Sequence, residues 1–440
     1  MSAIWLGMAL FGAMLALMAA RVPIAISMFV PGALGFAYLA GPAALLNHLK
    51  GLAYARLSVY DLSVIPLFLL MGQFATHGGL SRALFGLGNA LIGHFRGGMA
   101  MASILACAAF GSICGSSVAT AATVTQVALP EMRRHNYSGR LATATLAAGG
   151  TLGILIPPSV VLVVYGILAE QNIAKLFAAA FIPGFIAAAL YLGAIFLYVR
   201  ILPDQGPASE RHSQAERIAM LKKVWPVAAI FLVVFGGIYG GLFTPTEGAA
   251  VGAASTLVTG FANRELDAAG IRNCFYGTAS TTGMVFMIFL GADMLNAALA
   301  LSQMPMKLAE TVAASRLPPV AIVIAILVFY IVLGCVMDEL SMILLTIPIL
   351  LPAVMGLDLY GLDPTSKAIW FGILVLCVVE IGLIAPPVGL NVYVVNGFAP
   401  DVPMAETYRG VLPFLAADAV RVTLLILFPA LSLWLVKVLT

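Results

Sequence analysis

Two adjacent acids, Asp338 and Glu339, stand inside the apolar run LGCVMDELSMILL (333–345), where an ionisable side chain is costly unless it is paired or lines a pathway. Glu380 has a similar setting, just ahead of the proline pair in EIGLIAPPVGLN (380–391). A different chemistry is offered by GSICGSSVATAAT (111–123), a run of small and hydroxyl residues in which Ser116, Ser117 and Thr120 could complete a cage for a small cation. A second proline pair occurs in GTLGILIPPS (150–159). Proline lacks an N–H and clashes with the preceding turn, so each pair is expected to interrupt a helix. Together the four segments are candidate breaks. Freed carbonyls at a break suit a cation, and the N-terminus of the next half-helix suits an anion. Asp338 is expected at such an ion or substrate site, with a helix-end cap as the alternative; Glu247 and Asp293 fall nearer segment ends. For the small-residue run the alternative is close helix packing.

The elements that must hold these residues are membrane helices. The chain is 62% hydrophobic and 9% charged, whereas a soluble domain is about 25% charged, so a water-facing surface cannot be built from it. Apolar runs long enough to cross a bilayer recur at 3–20, 23–40, 225–243, 319–336 and 411–435. The first has no basic residue ahead of it and no small-residue cleavage site, and reads as a retained helix rather than a removed leader. The fold class is therefore all-α and polytopic, with the lipid bilayer as surroundings. The net charge of +3 gives no basis for a nucleic-acid partner.

The chain also resembles itself. RVPIAISMFVPGALGFAYLA from Arg21 aligns with FTPTEGAAVGAASTLVTGFA from Phe243, placing Pro23 and Pro245 222 residues apart. PLFLLMG ending at Gly72 meets FMIFLG ending at Gly291, Pro130 meets Pro352, and LGILIPPSVVLVVYGILAE meets IGLIAPPVGLNVYVVNGFA. The reading is a first repeat over 1–200, a cytoplasmic linker over 201–223 and a second repeat over 224–440. The loop EMRRHNYSGR (131–140) is basic, while its counterpart 355–368 carries Asp358 and Asp363 against Lys367. The positive-inside rule puts them on opposite sides, so the repeats are inverted. Segment 200–223 and the loop with Arg264 and Arg272 join the cytoplasmic group; Lys50 and Arg56 fit this scheme poorly. Inverted repeats of this kind enclose a site near the bilayer midplane, built from helices that break inside the membrane.

Other chemistry finds no support. Cys107, Cys114, Cys274, Cys335 and Cys377 form no CxxC pair and read as small packing residues; His77, His94, His135 and His212 fall near membrane edges and read as solvated. There is no Walker loop, nucleophile elbow or HExxH, so the chain is not expected to be an enzyme, and an ion gradient or a partner must supply the energy.

The segments GSSVATAATVTQVALPEM (115–132), TLGILIPPSVVLVVYGILAEQNIAKLFAAAFIPGF (151–185) and IGLIAPPVGLNVYVV (381–395) resemble the hallmark segments of the large (M) membrane subunit of tripartite ATP-independent periplasmic (TRAP) transporters, and the resemblance runs from about Arg21 to the C-terminus. It implies two inverted-topology repeats with re-entrant hairpins and discontinuous helices working as an elevator in the bacterial inner membrane. It further implies sodium (Na+) as the driving ion, a small organic acid such as a C4-dicarboxylate or sialic acid as substrate, a periplasmic binding protein (P subunit) that delivers it, and a separate small membrane subunit (Q subunit). By that resemblance one sodium site involves Gly115, Ser116 and Ser117 with the backbone from Gly153 to Pro157, and the other Gly334 and Asp338 with Gly382, Ala385 and Val388. Many relatives carry threonine where Ala385 stands, which leaves only its carbonyl as a ligand. Substrate is expected against Thr120, Pro158, Ser159, Glu339, Pro387, Gly389 and Asn391. A binding-protein-independent sodium/dicarboxylate symporter of the same superfamily, and more distantly a channel, are the alternatives.

Overall fold

The structure, a computed structural model, describes residues 3–315 and 317–439; the outermost repeat limits, 1 and 440, lie outside them. The first half runs α1 (Ala3–Ala19), α2 (Ile24–Ala40), α3 (Pro42–Leu57), α4 (Val64–His77), α5 (Leu80–Ile92), α6 (Gly98–Cys114), α7 (Ser117–Arg134), α8 (Gly139–Leu155), α9 (Val160–Leu168) and α10 (Ile173–Ile201). The second runs α11 (Gln214–Tyr239), α12 (Pro245–Ala262), α13 (Ala268–Leu301), α14 (Met304–Ala314), α15 (Pro319–Gly334), α16 (Glu339–Met355), α17 (Pro364–Ile384), α18 (Leu390–Phe398), α19 (Met404–Leu427) and α20 (Ala430–Leu439). Among the described residues there is no strand.

The two halves repeat one order of elements. They differ where one is interrupted and the other is not: α3 and α4 meet at a 58° bend, while α13 crosses the equivalent stretch as one helix of 34 residues. Conversely α10 is continuous over 29 residues, whereas Pro429 separates α19 from α20. The apolar run 411–435 is thus two helices rather than one span.

Contacts between the halves come in matched pairs. α2 packs on α13 as α12 packs on α4, α1 on α14 as α11 on α5, α8 on α19 as α17 on α10, and α18 on α7 and α8 as α9 on α16 and α17. The halves therefore interlock. In a bilayer, close packing rather than escape from water holds such helices, and small residues permit it. At Gly32 a Cβ would lie 2.5 Å from Leu295 N, so α2 and α13 touch backbone to backbone.

Five helices (α10, α11, α13, α17, α19) are long and apolar enough to cross a membrane by length and composition. The pairs α6–α7 and α15–α16 are made of helices of only 16 to 18 residues that pack against each other, short of the roughly 20 residues of a full crossing. They form two hairpins, and the run 319–336 is a hairpin leg. Each hairpin lies against a broken helix, α8/α9 or α17/α18, whose first member is buried almost end to end.

The segment 201–223 divides in two. Residues 202–213 are non-helical apart from a short 3-10 turn, and α11 begins at Gln214, where the side chain of Glu216 accepts from Ser213 N at 2.8 Å in a capping box. Gly97 N donates to Gly206 O (2.8 Å) and Ser138 N to Gln205 O (3.0 Å), gathering three of the chain's turns on one face. The misfit of Arg56 also has an explanation: its guanidinium holds both carboxylate oxygens of Asp293 on α13, so the pair enters the packing without net charge.

Candidate functional site

The two hairpin tips are built alike but from different residues. At the first, α6 ends on Gly115 in the left-handed region (φ +65), a conformation glycine adopts without a Cβ penalty. Ser116 follows in extended conformation and caps α7, its Oγ accepting from Ala119 N at 3.4 Å. At the second, α15 ends at Gly334, and Asp338 caps α16 by accepting from Ser341 N at 3.1 Å. Its other oxygen, Oδ1, is buried with no hydrogen-bond partner among the described residues. Asp338 is therefore a helix cap through one oxygen, and its other oxygen remains without a partner. Glu339 begins α16, is 8% exposed, and has an unpartnered Oε2.

Glycines bring each tip onto its broken helix. A Cβ at Gly111 would lie 2.4 Å from Gly153 Cα; one at Gly153 would lie 2.4 Å from Thr120 Oγ1 and 2.7 Å from Ser116 O. A Cβ at Gly115 would meet Pro158 O at 2.9 Å. In the second half a Cβ at Gly382 would stand 2.6 Å from Gly334 C and 2.9 Å from Gly334 O. The oxygens of Ser116 and Thr120 thus meet beside Gly153, the Pro158 carbonyl lies against Gly115 at the same tip, and Thr120 Oγ1 is buried with no oxygen or nitrogen partner among the described residues.

Both proline pairs carry a cis bond between their prolines, followed by the N-terminus of a half-helix. Ser159, fully buried, caps α9 by accepting from Leu162 N at 3.3 Å, and Gly389 (φ +56) occupies that place ahead of α18. Ala385 is the C-cap of α17 and is buried.

These termini surround a cavity of about 920 Å³. It is bordered by the tip residues Gly115, Ser116, Asp338 and Glu339, by the first residues of α9 and α18, and on the facing side by the start of α2 and the middles of α4 and α13. Five helix N-termini, those of α2, α7, α9, α16 and α18, reach its wall, each with the positive end of its dipole. Its charged lining residues are the two acids and Arg21, which is exposed and in left-handed conformation (φ 63).

Several expected site residues lie elsewhere. Asn391 is fully buried behind the first tip, donating through Nδ2 to Ser117 Oγ at 2.7 Å and Ala147 O at 3.3 Å. It ties α18 to α7 and α8 across the repeats. Pro387 and Val388 are exposed, and their carbonyls accept from Tyr408 OH at 3.0 and 2.7 Å. Neither residue borders the cavity. Glu380 faces Arg421 at 3.5 Å, and Arg421 also pairs with Asp418 at 3.0 Å, all three with side chains at most 1% exposed. Glu247 belongs to a capping box with Thr244.

The polar cavity residues not anticipated from sequence are Arg21, Gln73, Thr76 and Thr281. Gln73 and Thr76 are one turn apart on an apolar helix, a polar stripe facing the broken helices, which the hydropathy pattern contains. Arg21 carries no such signal, since a basic residue between two apolar runs reads as an ordinary loop charge.

Residues 11–431 match the family described as "Tripartite ATP-independent periplasmic transporter, DctM component". The chain is 36% identical over 375 residues to a C4-dicarboxylate TRAP transporter large permease protein of Pseudomonas aeruginosa, covering 85% of this chain and 86% of that one. It is 32% identical over 409 residues to an isethionate TRAP transporter permease of Oleidesulfovibrio alaskensis, covering 92% of this chain and 62% of that one. A sialic acid TRAP transporter permease of Haemophilus influenzae is 29% identical over 375 residues, covering 85% and 59%. Among solved structures, the YdaH transporter of Alcanivorax borkumensis superimposes with a TM-score of 0.63 over 89% of both chains at 16% identity, a likeness of fold.

Proposed function

Since the chain belongs to the DctM, or large-component, family of the tripartite ATP-independent periplasmic transporters, we propose that it carries a small organic acid across the bacterial inner membrane, driven by a sodium gradient and supplied by a periplasmic binding protein. The observation that carries this reading is the convergence of five helix N-termini and Arg21 on one cavity bounded by both hairpin tips. Aligned dipoles and a guanidinium favour a bound carboxylate or sulfonate without a dedicated basic cluster. Relatives named for C4-dicarboxylate, isethionate and sialic acid all have anionic substrates.

The cation sites are supported by the donor sets. At the first tip the Ser116 and Pro158 carbonyls, Thr120 Oγ1 and the Gly153 backbone offer neutral oxygens, a set that suits a monovalent cation. The second tip adds the open Asp338 Oδ1 to the Gly334 carbonyl beside Gly382. Cation and substrate then share one cavity wall, and the interlocked hairpins and broken helices move past α2, α4 and α13 as a unit in an elevator cycle. A small membrane subunit would widen that scaffold.

Uptake of labelled organic acids into proteoliposomes tests the proposal, with the chain reconstituted beside its small subunit under an imposed sodium gradient. Saturable uptake that requires both inward sodium and the binding protein is expected. Uptake of free substrate without the binding protein would favour the stand-alone symporter, and uptake that neither saturates nor needs sodium would overturn the carrier.

A further inference from the structure

Far from the cavity, the inter-repeat segment closes over the end of α5 and leaves a set of polar atoms with nothing to bond. Ser209 N donates to Gly93 O at 3.0 Å, fastening the segment to the α5–α6 turn. Around that joint Asn89 Oδ1, His94 Nδ1, Ser209 Oγ and two guanidinium nitrogens of Arg217, Nε and NH2, are buried without hydrogen-bond partners among the described residues. Two of them adjoin His94's neighbour Gly93, where a Cβ would come within 2.1 Å of Asn89 Oδ1 and 2.8 Å of Ser209 Oγ. His94 is half-buried, with its Nδ1 shut away from solvent. Desolvation first, then the charges of Arg211 and Arg217, hold its imidazole below ordinary basicity. A buried guanidinium nitrogen without an acceptor forfeits a charge-assisted bond and is costly.

Among the described residues no acid forms an ion pair with Arg217 or Arg211. Glu216, the nearest in sequence, has its Oε2 committed to Ser213 N and Oγ at 2.8 and 3.0 Å, and Glu210 is exposed and forms no ion pair among the described residues. The unpaired Arg217 fork, a hydroxyl and an imidazole are groups a phosphate can satisfy: bidentate acceptors for Arg, with further oxygens for the neutral donors. The surroundings add to the attraction, because Arg200, Lys222 and Lys223 flank the same segment.

We propose that the cluster of His94, Ser209, Arg211 and Arg217 binds a phosphate group, either an anionic phospholipid headgroup or a soluble phosphate, and that the bound anion pins the inter-repeat linker to the α5–α6 turn. A lipid source is favoured by the basic segment's expected place at the cytoplasmic surface, where anionic headgroups are concentrated. The proposal is independent of the coupling ion and of the substrate.

Hydrogen–deuterium exchange on the full chain in a maltoside micelle reads it directly. The amides of 205–213 are followed alone, with added phosphatidylglycerol, and with added inorganic phosphate. Slowed exchange with phosphatidylglycerol only identifies a lipid headgroup, and slowed exchange with inorganic phosphate identifies a soluble source; either supports the site. R217Q should lose the protection and K437Q, a charge removed elsewhere, should keep it. No slowing with either anion, or protection in R217Q equal to wild type, overturns the proposal. Should R217Q also expose the buried core of α17, R211Q replaces it and is read by the same outcomes.

Discussion

Gly153→Ala places one methyl group where the first hairpin tip meets its broken helix. The new Cβ would lie 2.4 Å from Thr120 Oγ1 and 2.7 Å from Ser116 O, and ordinary contact begins near 3.4 Å, so the tip must retreat by roughly 0.7 to 1 Å. Thr120 could turn its hydroxyl away. The Ser116 carbonyl cannot, because it accepts the first backbone bond of α7, from Thr120 N at 3.1 Å, and moves only with the helix. Overpacking of this size costs about 1–3 kcal/mol. If that cost falls on the arrangement that gathers the Ser116, Pro158 and Thr120 oxygens, the sodium concentration for half-maximal uptake should rise roughly 5- to 150-fold. Gly193→Ala on α10, where a Cβ meets nothing within 4 Å, is the control and should change neither uptake nor folding. The assay is sodium-dependent uptake in proteoliposomes beside a thermal melt in detergent. A Gly153→Ala protein that melts like the wild type and keeps its sodium dependence within about twofold would refute the idea that this approach builds a cation site.

Asp338→Ala removes a cap worth about 1 kcal/mol together with the open oxygen at the second tip; weakened sodium-dependent uptake with intact membrane insertion is expected, and an unchanged sodium response would discard its role. Arg421→Met strands the buried carboxylates of Glu380 and Asp418, and breaking a buried ion cluster by removing one partner costs about 3–5 kcal/mol. A clear fall in melting temperature should follow, largely recovered when E380Q and D418N are added, whereas wild-type melting of Arg421→Met alone would show that the cluster contributes nothing.

The four breaks and the repeat order were legible because glycine, proline and the buried acids act locally. Each proline pair interrupts a helix wherever it falls, and Asp338 announces a cap by its chemistry. What the sequence concealed depends on partners brought from far along the chain. Asp293 looks like a segment-end charge until Arg56, 237 residues away, is laid across it. Asn391 follows a proline pair and so resembles a ligand at a break, yet its amide nitrogen donates to Ser117 and Ala147, which leaves only its buried Oδ1 without a partner among the described residues. Val388 likewise acquires a partner that the sequence does not announce, since its carbonyl accepts from Tyr408 on the next helix. Arg21 was invisible as a site residue because nothing local marks it. Only the packing of α2 on α13, through Gly32 and Gly291, turns the start of α2 toward the tips.

The asymmetry between the tips gives the proposed carrier an order of events. At one tip the backbone and Ser116 present neutral oxygens, while the other presents Asp338 and Glu339, and Arg21 is the basic residue in the same cavity lining. With its acids ionised and no cation bound, that wall carries two negative charges against one positive, and an organic anion entering it meets net repulsion. A cation held by Asp338 cancels one of those charges and leaves the helix dipoles and Arg21 to act on the substrate. Anion affinity then rises when the cation is present, and by linkage the anion must strengthen cation binding by the same factor. Since the neutral tip changes the local charge by one on loading as well, either cation helps the substrate. Only the acidic tip, though, starts from a state that excludes it, so the acidic tip is the one whose occupancy should gate entry.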